Sequence, residues 1–220
     1  MTQQERSAGI VRECEARHTD RKRWRPILVS LSTFCIVWLG ALEGNPTSGS
    51  RPPDGATMAV AMDAVVDRII GVESDGDPNA KNKRSSATGL AQFLSETWLD
   101  MIRVHRPDLT KGRTQAEILE LRRDPKIARE ITARFTEHNA GLLRRRGLPL
   151  TPGTLYLAHF AGGAGAVAIL SAAEDADAAL IMANADTSGR SRREKIVKAN
   201  PFLERFTVAD LRNWADRKMQ

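Results

Sequence analysis

"IIGVESDGDPNAKNKRSSATGLAQF", residues 69–93, places a carboxylate where an apolar stripe calls for another buried residue. Upstream of it Met62, Val65, Val66, Ile69 and Ile70 recur at three- and four-residue intervals, the pattern of one helix face turned to a core. Glu73 lies four and three residues beyond the last two, so it continues that face. Asp75-Gly76-Asp77-Pro78 then stops the helix. A carboxylate at the end of an apolar face is a misfit, a partnered ion or a working acid.

Outward from this stretch the punctuation is that of helices. Ser95 before "ETWLDMIRV" reads as a capped start, and Pro107 as its stop. Thr114 and Glu117 form a capping-box pattern before "ILEL". Asp124-Pro125 pairs an N-cap with proline at the first helical position, leading into a long helix whose Ile127, Ile131, Phe135 and Leu142 trace one face. Arg144, Arg145 and Arg146 stand in its last turn before Gly147, where cations suit the helix dipole. "TPGTLYLAHF" opens the next helix, Gly162-Gly163 breaks it and "GAVAILSAA" resumes it. "TVADLRNWADRKM" is the last, with Leu211 and Trp214 facing inward; Trp98 is likewise assigned to the core. "SGRSRREK" reads as a solvated loop and helix start, or equally as a segment that helps hold a polymer bearing peptide carboxylates, and His105 and His138 read as ordinary surface or helix residues. No strand pattern and no internal repeat emerges, so the fold class is mainly α.

The 220 residues hold one ordinary domain with an appendage. The net charge of +6 falls to +4 over residues 57–220, where 25 Lys and Arg face 21 Asp and Glu. Such mild basicity suits an anionic polymer or surface. No run of cations interleaves with aromatics and no zinc-ligand spacing occurs, which argues against a nucleic-acid module and a metal centre. Cys14 and Cys35 both precede the domain, which therefore needs neither a disulfide nor a thiol nucleophile.

The compartment is read from "RKRWRPILVSLSTFCIVWLGAL". Arg21, Lys22, Arg23 and Arg25 precede an apolar run over residues 27–42, short for a membrane span and right for an export signal. The long basic n-region, and a large residue first in Leu39-Gly40-Ala41, leave cleavage or retention as an anchor open. The positive charges would hold that end in the cytoplasm and send the rest outward. Residues 1–43 are thus a signal peptide or signal anchor. Residues 44–56, rich in Gly, Pro and Ser, are a flexible linker, and residues 57–220 are the folded domain.

Glu73-Ser74, then Asp77-Pro78 and Ala80, then Gly89-Leu90 with Gln92-Phe93, resemble the catalytic region of lytic transglycosylases of the soluble type, in the lysozyme-like superfamily. A third block, Ala158-His159-Phe160-Ala161-Gly162, is similar to one in which Ala-Tyr-Asn-Ala-Gly is usual. His159 and Phe160 depart from that pattern, as do Ala91 where Met is usual and Ser86 where Gly is usual. The resemblance implies a lysozyme-like helical domain that cleaves the β-1,4 bond between MurNAc and GlcNAc in peptidoglycan, with Glu73 as the single acid and base. It implies no metal or cofactor. Ser74, Gln92, Tyr156 and His159 become candidates for substrate contact. The partners implied are peptidoglycan glycan strands and cell-envelope machinery, in the periplasm or at the outer face of the cytoplasmic membrane.

Elementary chemistry runs the same way. Breaking a glycosidic bond needs a proton on the leaving oxygen as charge builds on the sugar, and an apolar surrounding keeps a carboxyl protonated by disfavouring its anion. Most glycosidases use a second carboxylate. Asp75 and Asp77 are nearest in sequence, but both suit a turn, and Asp77 before Pro78 is placed to bond local backbone N–H groups. A single acid leans toward transglycosylation, in which the muramyl 6-hydroxyl replaces water. The alternatives are a hydrolytic muramidase and a non-catalytic wall-binding or scaffold protein of the same fold.

Overall fold

The computed structural model describes residues 55–187, 189 and 191–220. The basic n-region, the apolar run, both cysteines and most of the linker lie outside these residues, as do Ser188 and Arg190. Among the described residues there are eight α-helices and no strand, as the mainly α reading expects.

Helix α1 (Gly55–Ser74) takes in two residues expected to be linker. It is followed by α2 (Ser95–His105), α3 (Gln115–Glu120) and α4 (Pro125–Arg145), with short 3-10 turns at Pro107–Thr110 and Leu121–Arg123. Then come α5 (Pro152–Ser171), α6 (Ala178–Ala185), α7 (Arg193–Ala199), a 3-10 turn at Pro201–Arg205 and α8 (Val208–Lys218).

Local chemistry accounts for most of these boundaries. The Thr114–Glu117 capping box is complete, and the Asp124 carboxylate accepts from the N–H groups of Lys126 and Ile127, each at 2.9 Å. Thr151 with Thr154, and Thr207 with Asp210, cap α5 and α8 in the same way. Ser95 differs from its expected role: it is the first helical residue, Leu94 takes the cap position, and no side chain caps α2. The Ser95 hydroxyl instead faces Arg122. Helix α6, which no periodicity in the sequence marked, is started by Asp177 accepting from the Leu180 N–H at 2.8 Å.

Two groups of buried side chains form the core, and α1 and α4 belong to both. One gathers Ile69, Ala140, Leu143, Leu157, Ile169, Leu203 and Leu211 from α1, the end of α4, α5, α8 and the turn before α8. The other gathers Phe93, Trp98, Ile102, Ile118, Ile131 and Phe135 from α2, α3, the start of α4 and the segment before α2, with Ile70 packed against it. Successive residues of one helix, Ile69 and Ile70, therefore face different cores. Burial of side chains such as Ile69, Trp98 and Leu143, all fully enclosed, contributes about 1.5–3 kcal/mol each.

Helix α5 is long and apolar enough to cross a membrane by length and composition alone. It is the central core helix, carrying Leu155, Tyr156, Leu157, Ala158, Ala166 and Ile169 into the first group. Gly162 breaks it with φ 73° and ψ 160°, a conformation that excludes side chains with a Cβ, so the expected break is real.

Candidate active site

Glu73 stands at the last turn of α1, one helical turn past Ile69 and Ile70, where the two cores meet. It is half-buried. The chain leaves the helix through Asp75 (φ 54°) and Gly76 (φ 79°), with the Asp75 N–H bonded to the Gly71 carbonyl at 2.9 Å. Two successive left-handed residues turn the chain sharply away and leave the carboxylate at an exposed helix end.

Two hydrogen bonds and one neighbouring hydroxyl bring the sequence blocks together around it. The Ser74 hydroxyl donates to the Leu90 carbonyl at 2.7 Å, tying the end of α1 to the Gly-Leu-x-Gln segment. The His159 Nε2 lies 2.9 Å from the Ala91 carbonyl; that oxygen has no hydrogen, so Nε2–H is the donor, and α5 is tied to the same segment. The Tyr156 hydroxyl neighbours the Glu73 side chain. Burial first, and then the adjacent Glu73 carboxylate, push the Tyr156 phenol far above its usual range.

Each residue singled out in the sequence thus has a definite place. Tyr156 is 3% exposed, its ring 5.4 Å from that of Trp214, so it reaches Glu73 from within the core rather than from an open cleft. The His159 ring meets the edges of Phe93 and Phe135 at 5.5 and 5.8 Å, and its Nδ1 is buried without a partner. The Gln92 side-chain amide donates both its hydrogens to backbone, at the Ala80 carbonyl (3.1 Å) and the Gly89 carbonyl (2.9 Å), which leaves only its oxygen for a ligand. Asp77 accepts from the Asn79 N–H at 2.8 Å, as its turn position predicts. Trp98 is fully buried and donates to the Ile118 carbonyl at 2.7 Å.

Trp214 packs against the first core group as expected, at its edge. It is half-buried, stacked on Phe202 at 5.2 Å and met edge-on by Phe160 at 4.9 Å. This aromatic group runs from Tyr156, beside Glu73, to Phe202, which is 39% exposed. Phe160, the second departure of the third block, belongs to it.

Arg122 was not singled out in the sequence, yet it holds the segment between the motif blocks. It is 6% exposed, and its guanidinium donates to the carbonyls of Leu119 (2.8 Å), Ser86 (2.8 Å) and Phe93 (3.1 Å). Burial lowers its pKa, with the nearby Glu120 charge opposing. The backbone of Arg122 also explains Gly89: a Cβ there would sit 2.0 Å from the Arg122 carbonyl oxygen, and φ is 82°. No periodicity or motif in the sequence marks a cation bonded mainly to carbonyls.

Two surface hollows of about 260 and 280 Å³ lie elsewhere, the first lined by Leu99, Arg103 and Ile118 and the second by Thr151, Arg212 and Asp216. Glu73 lines neither. Among the described residues no three His, Cys, Asp or Glu side chains gather as a metal site would require.

No protein-family model matches the chain.

Proposed function

We propose that this protein is a lytic transglycosylase with a lysozyme-like domain, cleaving the MurNAc–GlcNAc β-1,4 bond of peptidoglycan with Glu73 as its acid and base. The observation that carries the reading is the convergence on Glu73. Three sequence blocks with motifs resembling that family meet at one helix end, through bonds from Ser74 and His159 and the placement of Tyr156 beside Glu73.

The protonated Glu73 carboxyl gives its proton to the glycosidic oxygen as the bond from that oxygen to the muramyl anomeric carbon breaks. The resulting carboxylate then takes the proton of the muramyl 6-hydroxyl, whose oxygen closes on the anomeric carbon. No water is consumed, and tethering of the 6-hydroxyl in the same sugar supplies the proximity that a second carboxylate otherwise provides. Ser74 and Gln92 support this step by holding the segment beside Glu73, and Tyr156 by standing next to the carboxylate.

Purified sacculi treated with the protein should release muropeptides ending in 1,6-anhydro-muramic acid, one water lighter than hydrolytic products. Glu73→Gln keeps the shape and removes the transferable proton, so release should fall at least ~10²-fold. Reducing-end products would make the protein a hydrolytic muramidase. Wall binding with no product from the wild type would make it a non-catalytic wall protein. The domain is proposed to act outside the cytoplasmic membrane, which a reporter active only there, fused after Gln220, tests directly.

A further inference from the structure

Between the two motif blocks the chain carries Lys81, Lys83 and Arg84, all exposed. Some other arginines of the domain are spent on carboxylates, Arg103 on Asp100, Arg106 on Asp108 and Glu130, Arg129 on Asp63 and Asp67, Arg134 on Glu137 and Arg193 on Asp177, while Arg68 and Arg113 donate to backbone carbonyls. Lys81, Lys83 and Arg84 have no ion pair among the described residues. The exposed run Arg144 to Arg146 is different in kind, because it sits at the C-terminus of α4 where the helix dipole favours cations.

The backbone bearing these three cations is fixed. The Gly89 N–H donates to the Ala80 carbonyl at 2.8 Å, the Asn82 N–H to the Ala87 carbonyl at 3.0 Å, and the Arg84 N–H to the Asn82 side chain at 2.8 Å. An antiparallel bridge joins Lys81 to Thr88. The same segment is bonded to the end of α1, since Leu90, next to Gly89, accepts the hydroxyl of Ser74, the neighbour of Glu73. The acids of the loop lie at its other end, where Asp77 is engaged by the Asn79 N–H and Asp75 is exposed in the turn. Rigid backbone, long unpaired cations and a bonded path to Glu73 describe a charged rim beside the candidate site.

The glycan backbone of peptidoglycan offers such a rim no charge. Its carboxylates are on the stem peptides that branch from alternate sugars. We infer that Lys81, Lys83 and Arg84 bind stem-peptide carboxylates, so that the protein prefers strands whose stem-peptide carboxylates are free to strands in which they have been amidated. This rests on the peptidoglycan reading of Glu73 and adds to it the part of the polymer that is recognised. Rim charges act through encounter and are screened by salt, so the preference should fade as ionic strength rises.

The test compares Lys81→Gln/Lys83→Gln/Arg84→Gln with wild type on glycan strands with free stem-peptide carboxylates and on strands whose carboxylates have been converted to amides. Three exposed pairs, each worth up to a few-fold, should together lower the ratio of kcat/KM on free-carboxylate to amidated strands by roughly tenfold, mainly through KM. Equal thermal midpoints of the two proteins check that the fold is intact. A ratio unchanged by the triple substitution overturns the inference. A parallel measurement needs no turnover: co-sedimentation of Glu73→Gln, with and without the triple substitution, on intact sacculi and on sacculi whose carboxylates have been amidated. A preference for intact sacculi that the triple substitution abolishes supports the inference even if the reaction is misassigned. Binding that ignores amidation overturns the inference while leaving the peptidoglycan reading standing. Failure to bind either form overturns both.

Discussion

The hydroxyl of Tyr156 neighbours the side chain of Glu73, bringing the central core helix to the last turn of α1. This placement sets a phenol that is 3% exposed beside a carboxylate at a helix end. It also makes the tyrosine a reporter on the glutamate, because burial and the Glu73 charge both resist phenolate formation.

Tyr156 is the only tyrosine in the chain, so its ionisation can be followed by ultraviolet absorbance without interference from another. Its folded pKa is raised above the unfolded value of about 10. The stability linked to this group is therefore fully present below pH ~10 and is lost as pH rises beyond it, because only the unfolded chain releases the proton there. The phenolate signal should appear late and together with loss of helical circular dichroism. Glu73→Gln removes the negative charge and should bring the signal to lower pH, although burial still delays it. A titration unaffected by Glu73→Gln would refute the pairing.

Arg122→Met keeps the length of the side chain and removes the donors to the Leu119, Ser86 and Phe93 carbonyls. Two of these carbonyls have other donors, since Ser86 accepts from the Thr88 hydroxyl and Phe93 from the Thr88 N–H, which limits the loss. Denaturant unfolding should show a destabilisation of about 2 kcal/mol. Arg122→Lys should recover little of it, as an ammonium cannot reproduce the planar fork.

His159 should occupy the Nε2–H tautomer, since its partner is the Ala91 carbonyl at 2.9 Å. Long-range nitrogen–proton NMR on labelled protein distinguishes the two ring nitrogens directly. His159→Phe preserves the aromatic packing against Phe93 and Phe135 but takes the donor from the Ala91 carbonyl. It should cost about 1–3 kcal/mol and loosen the joint between α5 and the Gly89–Gln92 segment.

Asp75→Asn and Asp77→Asn together ask whether a second carboxylate takes part. Asparagine tolerates the left-handed φ of 54° at position 75, and at position 77 its amide oxygen can still accept the Asn79 N–H. Both variants should fold normally and keep most of their sacculus-cleaving activity. A hundredfold loss in either would transfer a catalytic part to that aspartate and favour the hydrolytic reaction.

What the sequence determined by itself is local. The caps at Thr114, Asp124, Thr151 and Thr207, the break at Gly162 and the turn at Asp77 all depend on groups within about four residues, and their spacing can be read without coordinates. The apolar stripe leading to Glu73 was legible for the same reason. Its division between two cores at Ile69 and Ile70 was not, because periodicity says that a face is buried and not what covers it. Ser95 illustrates the limit: a good capping residue was drawn into the first turn, where its hydroxyl meets the guanidinium of Arg122. The tertiary structure alone decided that, of the two third-block candidates, Tyr156 and not His159 lies beside Glu73. It also decided that His159 spends its donor on Ala91 and that Arg122 secures the segment between the motif blocks. These bonds join residues far apart in the chain, and burial is what selects them. A polar group taken out of water must find a partner wherever the packing of the helices leaves one, and no local pattern encodes that position.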